Sequence, residues 1–288
     1  MSKLSNPAVV AALLTEHGIR LKQKWGQNFL VDENILRKIV QTAEVGPHDH
    51  VLEIGPGIGT LTQKLAERAG RVTAFEVDSR LLPVLAKTLG PYPQVEILLQ
   101  DALAADYNGF CASCGPVKLV ANLPYNIATP LIYRWLKQHR SCFSLLVCMV
   151  QKEVAERLVA LPGSKAYGTL SVVCRYASQV EIAFTVPHTV FFPRPEVASA
   201  VVKMVPYGQT VLAAGEEPLF YQTVEAVFAK RRKTALNALH AAFGLDKEKL
   251  LALAGRASLD LSRRGETFTV EEFVLLARLL APYLHGNR

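Results

Sequence analysis

Apolar residues along this chain cluster with two different periods. Seven short runs rich in Val, Ile, Leu and Phe, at residues 51–54, 71–77, 95–99, 117–121, 144–150, 180–186 and 198–206, read as strands. Segments between the earlier runs read as helices, and that alternation predicts a mostly parallel sheet with helices on both faces, an α/β fold. The last two runs are joined by a Pro-rich loop at 187–195, and so short a connection predicts an antiparallel hairpin at one sheet edge. A helical segment is expected before the first strand. Pro206-Tyr207-Gly208, followed by a polar, acidic stretch to Pro218, marks a linker. Beyond it, 219–244, 246–254 and 270–284 predict helices of a smaller domain. The expected division is 1–207 for the α/β domain with its helical N-terminal segment and 208–288 for a C-terminal helical domain.

The first strand ends in Glu53-Ile54-Gly55-Pro56-Gly57-Ile58-Gly59-Thr60, a Gly-rich turn leading into a helix. Such a turn lets backbone approach a nucleotide-like ligand closely. A dinucleotide fingerprint needs Gly at the first, third and sixth positions, yet counting from Gly55 the sixth is Thr60, which disfavours NAD. No phosphate-binding Lys follows, so a P-loop is excluded as well. Glu53-x-Gly55-x-Gly57-x-Gly59 instead resembles the first motif of class I methyltransferases, which have a Rossmann-like fold and whose loop faces the methionine part of S-adenosylmethionine.

Further polar groups fall at successive strand ends. Glu76 lies twenty-one residues after Gly55 and can accept both hydroxyls of a ribose. Asp101-Ala102 follows the third run, where an acid can take the amine of a cofactor adenine and Ala leaves room for its ring. Any one of these acids alone also fits an ordinary surface carboxylate; their joint placement favours a binding site. The fourth strand ends in Asn122-Leu123-Pro124-Tyr125. An amide, a rigid Pro and an aromatic ring there suit a flat, amine-bearing ring such as adenine, held by carbonyl acceptors while Tyr125 stacks. The same tetrapeptide alone fits equally a strand closing in a Pro-containing turn under an aromatic lid.

Taken with Gln27-Asn28-Phe29-Leu30, Gln151 to Leu158, Ser164-Lys165-Ala166-Tyr167-Gly168, Phe191-Phe192-Pro193-Arg194-Pro195-Glu196-Val197 and Lys230-Arg231-Arg232-Lys233-Thr234, the chain resembles the ribosomal RNA adenine N6,N6-dimethyltransferases of the bacterial KsgA/RsmA type. The resemblance runs from about Lys22 to the C-terminus. It implies dimethylation of two adjacent adenines near the 3′ end of small-subunit rRNA, within an immature subunit, by a monomer using S-adenosylmethionine. It implies that Asn28, Leu30, Gly55, Gly57, Glu76, Asp101, Ala102 and Asn122 line the cofactor site. Asn122, Leu123, Pro124 and Tyr125 would hold the target adenine, with Phe191 or Phe192 flanking it. Lys22, Lys24, Lys230, Arg231, Arg232, Lys233, Arg263 and Arg264 would contact RNA. One departure stands out: Arg264-Gly265-Glu266 occurs where Arg-Ala-Glu is expected, which predicts a looser helix start.

The net charge of +7 suits a polyanionic partner, but it is diffuse: residues 207–288 hold 11 Lys/Arg against 9 Asp/Glu. Clusters therefore matter more than totals. Residues 230–233 are expected on a helix, where four consecutive positions sweep too much of the circumference to face one ligand; such a run is also a common solvated helix face. The apolar runs are too short to span a bilayer and the N-terminal stretch lacks the order of a signal peptide, so a cytoplasmic location is expected. Five cysteines favour reduced thiols; Cys111-x-x-Cys114, expected in a loop, has no second pair to complete a zinc site, and no metal is expected. Cys142, Cys148 and Cys174 read as core.

No catalytic His or Cys is needed, because a sulfonium methyl donor carries its own leaving group and the protein supplies orientation and electrostatics. Three other readings share some of these features: a large-subunit rRNA dimethyltransferase, a DNA adenine methyltransferase, and a ribosome-assembly factor whose binding role outweighs methylation. Asn122 stands where the DNA enzymes generally have Asp, and Lys230 to Thr234 and Arg264 to Glu266 favour the small-subunit class.

Overall fold

The computed structural model describes residues 4–19, 28–213, 215–230 and 232–284. Lys22, Lys24 and Arg231 lie outside them. The described chain forms two compact units, Met1–Ala155 with Gln179–Pro206, and Glu156–Ser178 with Tyr207–Arg288. The second unit thus takes 156–178 in addition to the expected C-terminal segment.

In the first unit, α1 (Pro7–Glu16) starts at Asn6, whose side chain accepts from the Ala8 N–H, and β1 (Phe29–Leu30) follows. Helix α2 (Glu33–Thr42) is capped by Asp32, which accepts from Asn34 and Ile35. Then come β2 (His50–Ile54), α3 (Thr60–Ala66), β3 (Arg71–Glu76), α4 (Leu82–Leu89), β4 (Val95–Leu99), α5 (Tyr107–Cys114), β5 (Val117–Asn122), α6 (Ala128–Gln138) and β6 (Phe143–Gln151). The chain passes through α7 (Lys152–Val159) and α8 (Thr169–Ala177) and returns as β7 (Ser178–Val186), β8 (Phe191–Phe192) and β9 (Ser199–Pro206).

The seven-stranded sheet has the order β4-β3-β2-β5-β6-β9-β7. Strands β2 to β6 pair in parallel, and β9 runs antiparallel to β6. Apolar residues fill both faces of the central strands, as a doubly covered parallel sheet requires: Val51, Leu52, Leu119, Val120, Leu146 and Val147 are fully buried. From β2 the chain winds one way through β3 and β4, then crosses back to β5. The topological switch point therefore lies between β2 and β5, and a crevice opens at their carboxyl ends. Strand β8 sits not in this sheet but against β1, with Phe29 opposite Phe192 and Leu30 opposite Phe191. Cys111 and Cys114 lie on α5 rather than in a loop, while Cys142, Cys148 and Cys174 are buried as expected.

In the second unit, α8 packs with α9 (Glu217–Phe228) and α9 with α10 (Ala235–Phe243) and α12 (Val270–Leu284); α11 (Lys247–Gly255) joins α10 and α12. Tyr176 stacks on Phe220 with ring centroids 4.0 Å apart. The single helix expected over 219–244 is broken. Helix α9 ends at Phe228, the Lys233 N–H donates to the Lys230 carbonyl, and Thr234 caps α10. Gly265 begins a 3-10 turn and is buried; a Cβ there would stand 2.5 Å from Val227 Cγ1, so the close packing that replaces the expected loose helix start requires glycine.

Candidate active site

The crevice at the switch point is a cavity of about 370 Å³, within the range of small-ligand sites. Its walls come from four chain ends: the Asn28–Leu30 segment, the turn after β2, the end of β3 with the loop after β4, and the end of β5. Every cofactor residue expected from the sequence lines it: Asn28, Leu30, Gly55, Gly57, Glu76, Asp101, Ala102 and Asn122, together with Leu123, Pro124 and Tyr125.

The turn after β2 is shaped by glycine at left-handed φ. Gly57 has φ +61°, and a Cβ on it would meet the Phe29 ring at 2.8 Å, so the turn lies flat against β1 only because the side chain is absent. A Cβ placed on Gly55, at φ +70°, would meet Pro124 at ordinary contact distance, so the β2 turn lies close beside the β5 end.

Glu76 is buried, not partly exposed as a strand-end acid usually is, because the following turn folds over it. Its Oε1 accepts the Val77 and Asp78 N–H groups, each at 2.8 Å. Burial raises its pKa, opposed by those two N–H groups and by that of Gly57. Asp101 is exposed, with Oδ1 accepting the Leu103 N–H at 2.8 Å. The segment after it is held from below: the Tyr107 hydroxyl donates to the Ala102 carbonyl at 2.8 Å, and Arg134 of α6 donates to the carbonyls of Leu103 and Ala105. Neither anchor is signalled by a sequence motif.

At the end of β5, Asn122 Nδ2 donates to the Asn28 carbonyl at 3.1 Å. That contact occupies the amide's donor side and leaves its carbonyl oxygen as the acceptor. The Tyr125 hydroxyl lies 2.8 Å from Ser199 Oγ at the start of β9, which tethers the ring at one end; burial pushes the phenol's pKa up. Leu123 is buried, its N–H donating to the Met149 carbonyl at 3.1 Å. Phe191 and Phe192 do not line the cavity. Phe191 is buried in the core beside Leu30, whereas Phe192 is only partly buried.

Two groups at this site carry no assigned role in the sequence reading. Ser199 is one. Glu53 is the other: it is 2% exposed, its Oε2 has no hydrogen-bond partner among the described residues, and burial pushes its pKa up to about 8. Its position at the head of the Gly-rich motif was the available signal.

The basic residues expected on RNA sort into two groups. Lys230, Arg232, Lys233 and Arg264 are exposed. Arg232 and Arg264 line a second cavity with Gly163, Ser164, Lys165 and Glu266, so Lys165 joins the cations expected from the sequence. Arg263 is different. Its guanidinium makes a two-pronged ion pair with Glu272 at 2.6 and 3.1 Å, donates to Thr267, and covers the Phe268 ring at 4.4 Å. Those contacts make it a clamp inside the second unit and argue against the expected phosphate contact.

The profile of the family described as Ribosomal RNA adenine dimethylase matches residues 18–275. The chain belongs to that family. It is 41% identical over 290 residues to "Ribosomal RNA small subunit methyltransferase A" of Bacillus cytotoxicus, covering 98% of this chain and 99% of the relative. It is 43% identical over 286 residues to the protein of the same name from Geobacillus kaustophilus, covering 97% of each. Among solved structures, a dimethyladenosine transferase from Plasmodium falciparum superposes with a TM-score of 0.75 at 26% identity, over 87% of this chain and 96% of that one. The 23S rRNA methyltransferase ErmE superposes at 0.67 and 26%, over 88% and 100%.

As a member of the adenine dimethylase family, the chain is an S-adenosylmethionine-dependent methyltransferase of class I fold. The cavity fits that cofactor chemically. Its described ionisable lining residues are Glu53, Glu76, Asp101 and Tyr125, with no Lys, Arg or His, which suits a ligand bearing a sulfonium and an ammonium.

Proposed function

We propose that this protein dimethylates N6 of two adjacent adenines near the 3′ end of small-subunit rRNA, acting as a monomer on an immature small subunit in the cytoplasm. The observation that carries the reading is the Asn122 amide: its nitrogen donates to the Asn28 carbonyl, which leaves its oxygen as an acceptor, and Asn122 lines the cavity together with Tyr125. The name shared by the Bacillus and Geobacillus relatives supports the small subunit as substrate.

Adenine N6 is a poor nucleophile because its lone pair is delocalised into the ring. Asn122 Oδ1 and a main-chain carbonyl of Leu123 or Pro124 would accept the two amine hydrogens and favour a more tetrahedral nitrogen. An amide does this without placing a full charge beside the reacting atom. Tyr125, tethered through Ser199, offers its face to the base, and Phe192, the less buried of the β8 pair, is the better candidate for the opposite flank. Glu76 would hold the cofactor ribose and Asp101 its adenine amine, with Asn28, Leu30, Gly55, Gly57 and Ala102 shaping the rest. The bound cofactor supplies an activated methyl with a built-in leaving group. Residues 208–288 form the RNA-contacting domain in this reading, with Lys230, Arg232, Lys233 and Arg264, and Arg231, Lys22 and Lys24 outside the described residues, meeting phosphates.

Methyl transfer compared on immature small subunits, large subunits, naked rRNA and DNA, with product nucleosides identified, tests the proposal. N6,N6-dimethyladenosine formed on small subunits is the expected outcome; preference for large subunits or DNA overturns it.

A further inference from the structure

Of the three carboxylates in the cavity wall, Glu53 is the one with the least outside help. Glu76 is held by backbone N–H groups and Asp101 is exposed to water. Glu53, on β2 beside Ala74 of β3, is 2% exposed, and its Oε2 is without a partner among the described residues. Thr62 on α3 stands near enough to favour the ionised form, but its Oγ1 and Glu53 Oε2 make no bond of normal geometry. Facing the same space are Glu76 from the end of β3, whose charge opposes ionisation, Asp101 from beyond β4, and the neutral Asn122 and Tyr125 from beyond β5. No described lining residue is a cation that could pair with Glu53.

A buried carboxyl in that setting stays protonated until a positive charge arrives. S-adenosylmethionine at neutral pH carries one sulfonium, one ammonium and one carboxylate, a net single positive charge. The product, S-adenosylhomocysteine, has lost the sulfonium and is neutral overall. We propose that Glu53 reads the charge of the ligand, holding its proton before the cofactor enters and releasing it to solvent when a sulfonium-bearing ligand occupies the cavity. The neutral product retains less of that ion pairing and lets Glu53 take the proton back, which favours exchange of product for fresh cofactor between the two methyl additions. This inference rests on the cofactor reading of the cavity.

The test is titration calorimetry of the full chain with S-adenosylmethionine and with S-adenosylhomocysteine, between pH 5.5 and 7.0, in buffers of differing ionisation enthalpy. Wild type should release a substantial fraction of a proton per cofactor bound and less per product. Its preference for cofactor over product should grow with pH, approaching tenfold per unit. Glu53→Gln should bind both ligands with no such release and with a preference flat in pH. Equal proton release for the two ligands, or the same release in wild type and variant, overturns the proposal. Should Glu53→Gln fail to fold, the wild-type preference alone decides, since a ratio that does not change with pH overturns it too. Binding without proton release sinks this inference and leaves the cofactor reading standing; no binding of either ligand sinks both.

Discussion

The side-chain nitrogen of Asn122 donates to the main-chain carbonyl of Asn28 at 3.1 Å, across 94 residues of sequence. This one bond joins the segment before β1 to the end of β5 and fixes which way the amide points. Asn122→Ala should therefore reduce single-turnover methyl transfer roughly a hundredfold, the scale of losing one preorganised polar group at a reacting centre, while RNA binding changes little. Asn122→Asp keeps an oxygen but removes the donor and sets a charge against the Asn28 carbonyl, so it should not rescue. Equal losses of transfer and of RNA binding would make Asn122 a scaffold residue.

Glu76 has two duties that two variants separate. Glu76→Gln keeps an oxygen for the Val77 and Asp78 N–H groups; Glu76→Ala leaves both without their acceptor. Both should weaken cofactor binding by about 1.5 to 3 kcal/mol through loss of charge-assisted hydrogen bonds, but only the Ala variant should also melt markedly earlier. Cofactor affinity unchanged in a folded Glu76→Gln protein would refute the assignment to the ribose.

Glu53 predicts a pH dependence of stability in the cofactor-free protein. Its pKa rises on folding from 4.5 to about 8 through burial. A group raised in this way contributes stability fully below its unfolded pKa and loses that contribution as pH climbs through the folded value. Denaturation of wild type should show stability falling from this source between pH 4.5 and 8, by up to about 1.4 kcal/mol per unit. Glu53→Gln lacks the decline, so the gap between the two curves should widen toward pH 8. Parallel curves would mean that Glu53 is already ionised.

Much of this architecture is legible in the sequence because local pattern and tertiary role coincide. Apolar runs bounded by Gly, Asp or Asn become strands whose ends carry the site, and the motif residues from Asn28 to Asn122 meet in one cavity. The β1–β8 pair is not legible, since two residues per strand leave no periodicity to detect and pairing is set by the packing of Phe29 under Gly57. Helix propensity misleads after Phe228, where α9 stops and Thr234 caps a separate helix, α10. Arg263 and Arg264 look alike in sequence; only the positions of Glu272 and Phe268 separate them.

That separation gives a paired test of where RNA is held. Arg264 and Arg232 are exposed beside Lys165, whereas the Arg263 guanidinium is committed to Glu272 and Thr267. Replacing Arg231, Arg232 and Lys233 by Ala should weaken binding to the ribosomal substrate, and Arg264→Ala should do the same, each lost phosphate contact lowering the magnitude of the salt slope by about 0.7 to 0.9. Cofactor affinity should stay at the parent value, because the residues expected to hold the small ligand line a cavity built entirely within the first unit. Arg263→Ala should do the reverse: it removes an ion pair and a ring contact within the second unit, lowering stability by roughly 1 kcal/mol, and leaves the salt slope unchanged. Filter binding across a salt series, beside denaturant melts of the same preparations, reads both effects. If Arg263→Ala flattens the slope while the triple variant keeps it, the clamp and the phosphate contact have been assigned to the wrong residues, and the cations at 230–233 are solvated charges.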